Sequence, residues 1–305
     1  MEVVNPAWET AAFWQELCPS MTVSTEAYAV KDDSYLIDAD ELQREKEYLH
    51  KEGYGHIPCV IPDAEVAKMA EAVKAALDAT GFSVFALVYD EFWCSLARLS
   101  QAMESLLGEG FQVLPDVWAW YVQTSAEDAG WKPHRDRGKG TVLPDGTPLS
   151  LSVWLPLTDA TPLNGCMYVV PASLDHRYHT FGKPGEDTSV NYQDIRAVPA
   201  KSGSVLFWSS QLLHWGGRSS ARAQHPRVSV AFELQASELK PQAKPLLSPC
   251  EVPSFSVRLA LVARQLLQYQ HLVDVPPALS RRCRKWMQAL PGRRSFLSVL
   301  SNLKR

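Results

Sequence analysis

His134 and Asp136 stand two residues apart in WKPHRDRGKG, between two segments that read as β-strands. Alternate residues of a strand point the same way, so a histidine and an aspartate at i and i+2 can reach one ion. The plain alternative is a loop aspartate paired with a nearby arginine. A third ligand must come from elsewhere, and His214 is the best placed, at the end of the apolar run GSVLFWSSQLLHWGGR. Taken singly it reads more readily as a satisfied core histidine. Two histidines and one carboxylate on one face of an ion leave its other positions open, the arrangement that suits non-haem Fe(II) and O2 chemistry.

Other histidines compete less well. His50-Lys51-Glu52 copies the spacing but sits in a helical pattern, where i and i+2 diverge. His176 and His179 need a helix to converge, and the preceding VVPAS reads as strand and turn. His225 adjoins a proline in a polar loop, and His56 and His271 lack local partners. Arg227 opens the strand RVSVAFEL and offers a permanently charged, planar fork for the carboxylate of an acidic cosubstrate. Arg218 and Arg222 are nearer to His214 but read as solvent-facing turn residues.

The elements that must carry these residues follow from periodicity. Residues 1–40 read as irregular apart from a short helix around WETAAFWQEL, and DADELQREKEYLHKEGY reads as a longer helix ending at Gly53. After the short strand GHIPCVIP comes the clearest helix, DAEVAKMAEAVKAALDATG. Asp63 is its expected N-cap, Val66, Met69, Ala70, Val73 and Leu77 form its apolar stripe, and Gly81 is its stop. EFWCSLARLSQAMESLLG reads as a further helical stretch. From about residue 111 the pattern turns to strands. In PLSLSVWLPLTD, Leu149, Leu151, Val153, Leu155 and Leu157 alternate with Ser150, Ser152, Trp154 and Thr158. Short strands separated by Gly, Pro and Asn turns predict a sandwich, jelly roll or barrel. Beyond LSPCEVPS the chain returns to helix, with the final stretch read as two short helices broken at Pro291-Gly292.

Composition bounds the function classes. With 46% hydrophobic and 21% charged residues the chain can build a large core without a staple. A net charge of −4 gives no general case for nucleic-acid binding, although residues 251–305 hold ten Lys/Arg against two Asp/Glu. That basic run reads as a solvated helix face. Six scattered cysteines without a C-x-x-C motif, and no evident signal sequence or apolar span, lead to the expectation of a reduced cytoplasmic protein with no membrane span.

The ordered set KPHRDRG, SLSVWLPLTDATPLNGCMYVVPASLDH, VPAKSGSVLFWSSQLLHWGG and PRVSVAFEL resembles the phytanoyl-CoA dioxygenase family of Fe(II)/2-oxoglutarate oxygenases. The opening YLHKEGYGHIPCVIPDAEVAKMAEAV fits as well, so the resemblance covers residues 40–240. It implies a double-stranded β-helix (jelly roll, cupin-like) core, mainly β with flanking helices. Residues 1–240 would be one catalytic domain and 241–305 a helical extension packed on it. It implies His134, Asp136 and His214 as iron ligands, Arg227 gripping the distal carboxylate of 2-oxoglutarate, and Trp154 lining the cosubstrate pocket. Tyr121 and Gln123, on the preceding strand, are weaker candidates for hydrogen bonds to the cosubstrate. O2 completes the cofactor set. Asp136 stands where related halogenases carry Gly or Ala, which implies hydroxylation of a small metabolite or natural-product intermediate. Desaturation, epimerisation, ring formation and a non-catalytic binding module remain alternatives. Departures from the family pattern are Ala172 with two extra residues in PASLDH, a slightly long loop before Arg227, and Gly216 where a small polar residue is usual. The substrate would be chosen by loops within 80–110, 137–148 and 176–197, with the C-terminal helices covering the mouth, and no oligomeric state is implied.

Overall fold

The computed structural model describes residues 4–31, 37–125, 128–138, 140–180 and 189–291. The helix expected after Pro291-Gly292 and the middle of the 176–197 loop lie outside these residues. In chain order the elements are α1 (Ala11–Leu17), β1 (Tyr28–Ala29), α2 (Ala39–Glu52), β2 (Tyr54–Ile57), α3 (Asp63–Thr80), α4 (Asp90–Arg98) and α5 (Ser100–Leu107). Then follow β3 (Gln112–Val122), β4 (Ser150–Pro156), β5 (Met167–Val170), β6 (Arg196–Val198), β7 (Val205–Ser209), β8 (Leu213–Gly216) and β9 (Arg227–Gln235). The chain closes with β10 (Glu251–Val252), α6 (Phe255–Gln268) and α7 (Pro277–Trp286).

Two antiparallel sheets form the centre, one ordered β2-β7-β4-β9-β3 and the other β6-β5-β8. Met167 and Val169 of the small sheet share one apolar cluster with Trp154, Leu206 and Trp208 of the large sheet. The architecture is the expected double-stranded β-helix with helices on the outer face of the large sheet. The alternation read in β4 is real, but neither face meets water. Leu151, Val153 and Leu155 pack with the helices in the main core, whereas Ser152 and Trp154 turn inward between the sheets. All seven residues of β4 are buried.

The helices form where caps and stripes require them, with corrections of detail. Asp38 caps α2 through bonds of 3.1 Å from the Asp40 and Glu41 amides, and Gly53 ends it at φ 81°. In α3 the capping position is Pro62, which makes no side-chain bond. Asp63 is therefore the first helical residue rather than the N-cap, and there its charge favours the positive end of the helix. The buried stripe of α3 is Val66, Met69, Ala72, Val73 and Ala76; Ala70 and Leu77 lie at its margin. The stretch expected as one helix before the sheet is two, broken at Leu99.

Helix α6 packs on β3 and is clamped at both ends. Near its start Arg258, fully buried, pairs with Asp90 of α4 and donates to the Ser24 carbonyl at 2.5 Å. Near its end Arg264 and Gln265 reach the Pro115 carbonyl at 2.7 and 2.6 Å. That carbonyl is available because the β3–β9 register shifts between Val113 and Val117, leaving Pro115 out of the ladder. Removing one partner of a buried pair strands the other charge. Arg258→Ala should lower unfolding stability by about 3–5 kcal/mol in urea denaturation, and Asp90→Asn should lower it less.

Candidate metal centre

Residues 134 and 214 exchange two backbone hydrogen bonds of 3.0 Å, an isolated antiparallel bridge that sets the loop before β4 beside β8. Their imidazole centroids are 4.4 Å apart. Each ring is fixed through Nδ1, which lies 2.7 Å from the Lys132 carbonyl in His134 and 3.0 Å from the Leu212 carbonyl in His214. A carbonyl only accepts, so Nδ1 carries the proton and each Nε2 offers a lone pair. Both Nε2 atoms face Asp136 Oδ1, at 3.4 Å from His134 and 3.6 Å from His214. The other carboxylate oxygen is held by Ser152 Oγ at 2.6 Å and Trp208 Nε1 at 3.1 Å. Three ligand atoms thus gather within 4.8 Å of one another.

The charges fit the same purpose. Burial pulls His214 down to about 4, so it is neutral at physiological pH. Against burial, its contacts with His214 and His134 hold the Asp136 carboxyl well below the usual carboxylate range. His134, also resisted by burial, is pushed up by its contact with Asp136. The neighbouring arginines do not consume Asp136. Arg135 pairs with Asp175 at 2.6 Å, and Arg137 donates to Glu233 and Asp116. The loop-aspartate alternative therefore does not describe this site. Two imidazoles and one carboxylate with a cavity on their open side form a donor set suited to a divalent first-row metal.

The cavity runs past the triad to Arg227. Arg227 is 1% exposed and its guanidinium carbon lies 5.8 Å from the Trp154 ring. Nη1 donates to Ser229 Oγ at 2.9 Å, while Nε and Nη2 have no partner. Burial pushes this group down to about 10, still charged at neutral pH. Gly216 explains itself here. A Cβ on it would fall 2.9 Å from the Gly130 Cα and 3.1 Å from Arg227 Nη2, so the two glycines make room for the guanidinium. Trp120 Nε1, on the same cavity wall, is buried without a partner.

The structure does not bring Tyr121 and Gln123 to the cavity. The residues of β3 that line it are Asp116, Val117, Trp118 and Trp120, and Trp120 pairs with Ser229. Tyr121, one position out of phase, turns to the helices, where Lys74 lies 5.9 Å from its ring. Gln123 lies past the strand end and is exposed. The other competing residues also lie outside the cavity. His50 is on α2, His176 and Arg177 bond each other, His225 reaches the Asp159 carbonyl, and Arg218 and Arg222 are exposed. The sequence reading missed Ser152 and Trp208 as holders of Asp136. It also missed Glu233, Gln265 and Tyr269, which line the end of the cavity away from Arg227. The inward phase of Ser152 and Glu233 was visible as alternation; the two α6 residues had no such signal.

The family model for phytanoyl-CoA dioxygenase (PhyH) matches residues 49–226. This chain belongs to the phytanoyl-CoA dioxygenase family. The match takes in the triad and stops just before Arg227. Over 117 residues the chain is 32% identical to the iron/alpha-ketoglutarate-dependent dioxygenase ausU of Aspergillus calidoustus, a stretch that spans 37% of each protein. Among solved structures, the non-heme alpha ketoglutarate dependent epimerase SnoN from nogalamycin biosynthesis superposes with TM-score 0.52 at 20% identity, over 66% of this chain and 82% of that one. The non-heme monooxygenase ThoJ, as its nickel complex, does so with TM-score 0.53 at 16% identity, over 75% and 98%. These likenesses carry the fold.

Groups that orient a metal ligand typically contribute 10–100-fold to metal affinity. Ser152→Ala and Trp208→Phe should each weaken Fe(II) or Ni(II) binding by about that factor in competition titrations, with melting temperature little changed.

Proposed function

We propose that this protein is an Fe(II)- and 2-oxoglutarate-dependent oxygenase that hydroxylates a small-molecule metabolite or natural-product intermediate. One observation carries the reading. The three facing ligand atoms share a cavity with a buried guanidinium whose Nε and Nη2 have no partner. An unpaired buried charge costs several kcal/mol, so a site that keeps one suits a carboxylate ligand. In this reading His134, Asp136 and His214 hold Fe(II). Arg227, aligned by Ser229 and backed by Trp154, receives the distal carboxylate of 2-oxoglutarate. Bound Fe(II) would supply O2 activation coupled to decarboxylation of 2-oxoglutarate to succinate and CO2.

The protein's own work is orientation and exclusion of water. Lys132 and Leu212 fix the ring tautomers, Ser152 and Trp208 keep one oxygen of Asp136 occupied, and the tryptophan-rich wall limits solvent. Asp136, standing where related halogenases carry Gly or Ala, supports hydroxyl transfer over halogenation. Desaturation, epimerisation and ring closure use the same residues and are told apart by product mass. A small substrate inside a reduced cytoplasm belongs to the same reading. Among the described residues no helix is long and apolar enough to cross a membrane.

With Fe(II), 2-oxoglutarate and O2, the purified protein should form succinate, and His214→Ala and Asp136→Ala should abolish it. A wild-type protein that binds iron yet forms no succinate with a broad panel of metabolites would indicate a binding module instead. Arg227→Met should weaken 2-oxoglutarate binding by at least about 30-fold, as expected when a buried charged hydrogen-bond partner is lost. Metal-free Arg227→Met should be at least as stable as the parent in thermal unfolding, because the stranded charge is gone.

A further inference from the structure

The end of the cavity opposite Arg227 has its own chemistry. Arg227 and Glu233 lie on the same inward face of β9 six residues apart, which places them roughly 20 Å apart along the strand, and the triad adjoins the Glu233 end, because Ser152, which holds Asp136, pairs with Glu233. Around Glu233 four charges form one chain. Arg264 pairs with Asp116 at 2.7 Å, Asp116 with Arg137 at 2.7 Å, and Arg137 with Glu233 at 2.5 Å. Each arginine of this chain thus has a carboxyl partner, and each carboxyl an arginine.

Two acceptors are nevertheless left over. Gln265 is fully buried and lines the cavity; its Nε2 is committed to the Pro115 carbonyl at 2.6 Å, and its Oε1 has no partner. Both Arg137 bonds to Glu233 end on Oε2, and among the described residues none reaches Oε1. The flanking wall is aromatic. Trp118 and Tyr269 meet edge to face at 5.3 Å, and Trp131 closes on Tyr269 at 4.6 Å. Gln265 and Tyr269 are one helical turn apart at the end of α6, so one face of that turn supplies both an acceptor and a ring.

We propose that this pole is the substrate subsite and that it takes a neutral, hydroxyl-bearing ring. Two hydroxyl protons satisfy Gln265 Oε1 and Glu233 Oε1, and the apolar face of the ring lies on the Trp118–Tyr269 wall. An alkyl chain there leaves both acceptors buried and unpaired, which is unfavourable. A carboxylate meets Glu233 oxygen against oxygen. An ammonium gains little where each carboxyl already has an arginine. Helix α6 thereby becomes a specificity element.

The inference rests on the oxygenase reading, so the test separates the two. Full-length protein is titrated with trans-1,2-cyclohexanediol, methylcyclohexane, cyclohexylamine and cyclohexanecarboxylate by ligand-observed NMR, metal-free and again with Fe(II) and 2-oxoglutarate under argon. The diol should bind at least about tenfold more tightly than each of the others, the worth of one well-made hydrogen bond. Gln265→Met should erase that preference, Glu233→Gln should change it, and Gln268→Met, whose side chain serves only Asp116, should keep it. Equal affinities, tighter binding of the amine or the acid, or a preference that survives in Gln265→Met overturns the proposal. The wild-type ranking decides even if a variant fails to fold. Fe(II)-dependent binding of 2-oxoglutarate, followed by its absorbance, is read on the same samples. Its absence defeats the oxygenase reading alone, and the metal-free ranking still judges the subsite.

Discussion

The backbone bridge between His134 and His214 is the constraint from which the site follows. Eighty residues separate the two, and only two 3.0 Å amide–carbonyl bonds join them directly. Yet those bonds fix the separation of the imidazoles, and the Lys132 and Leu212 carbonyls then fix their rotation. Asp136 enters because it follows His134 by two along the same extended segment. Shifting the bridge by one residue would turn one imidazole to the opposite face. The flanking sheets serve largely to make that shift impossible. β8 is held by β5, and β4, which carries Ser152, is held between β7 and β9.

Polar groups turned into the interior carry an energetic cost that the outer face of the same sheet offsets. Leu151, Val153, Leu155, Val230 and Phe232 are buried against the helices, a continuous apolar layer on one side of β4 and β9. On the other side the same strands carry Ser152, Arg227, Ser229 and Glu233. Alternation is what permits the division. A strand contributes stability with one set of residues and chemistry with the next, and neither set has to compromise. Arg227 is the extreme case, a buried cation with open donors whose site is kept in shape by two glycines, Gly130 and Gly216.

The same periodicity explains what was legible from sequence. The His134–Asp136 pair and the two faces of β4 could be read because they depend on i, i+2 relations within single extended segments, whereas His214, Arg227 and Trp154 drew their roles from the order of the family's motifs. The phase of β3 could not. Its aromatic run places strong candidates on both faces, and the choice between Trp120 and Tyr121 is made by pairing with Ser229 and by the register shift near Pro115. The capping of α3 failed for a related reason. Asp63 is a good capping residue, but Pro62 already occupies the turn into the helix. Gln265 and Tyr269 were illegible because a helical stripe says which residues are buried, not that the buried surface is a cavity wall.

Helix α6 links stability to specificity. The irregularity in β3 frees the Pro115 carbonyl, which calls in Arg264 and Gln265. Satisfying that carbonyl uses the amide nitrogen of Gln265 and leaves its oxygen buried without a partner. Arg264, brought to the same place, neutralises Asp116, which in turn holds Arg137 against Glu233. A defect in one strand is thus repaired by a helix beyond the stretch that matches the family, and the repair itself creates the polar character of the cavity's far end. Family members without an equivalent helix would have to close this end differently, so substrate preference can diverge while the triad and its guanidinium stay fixed.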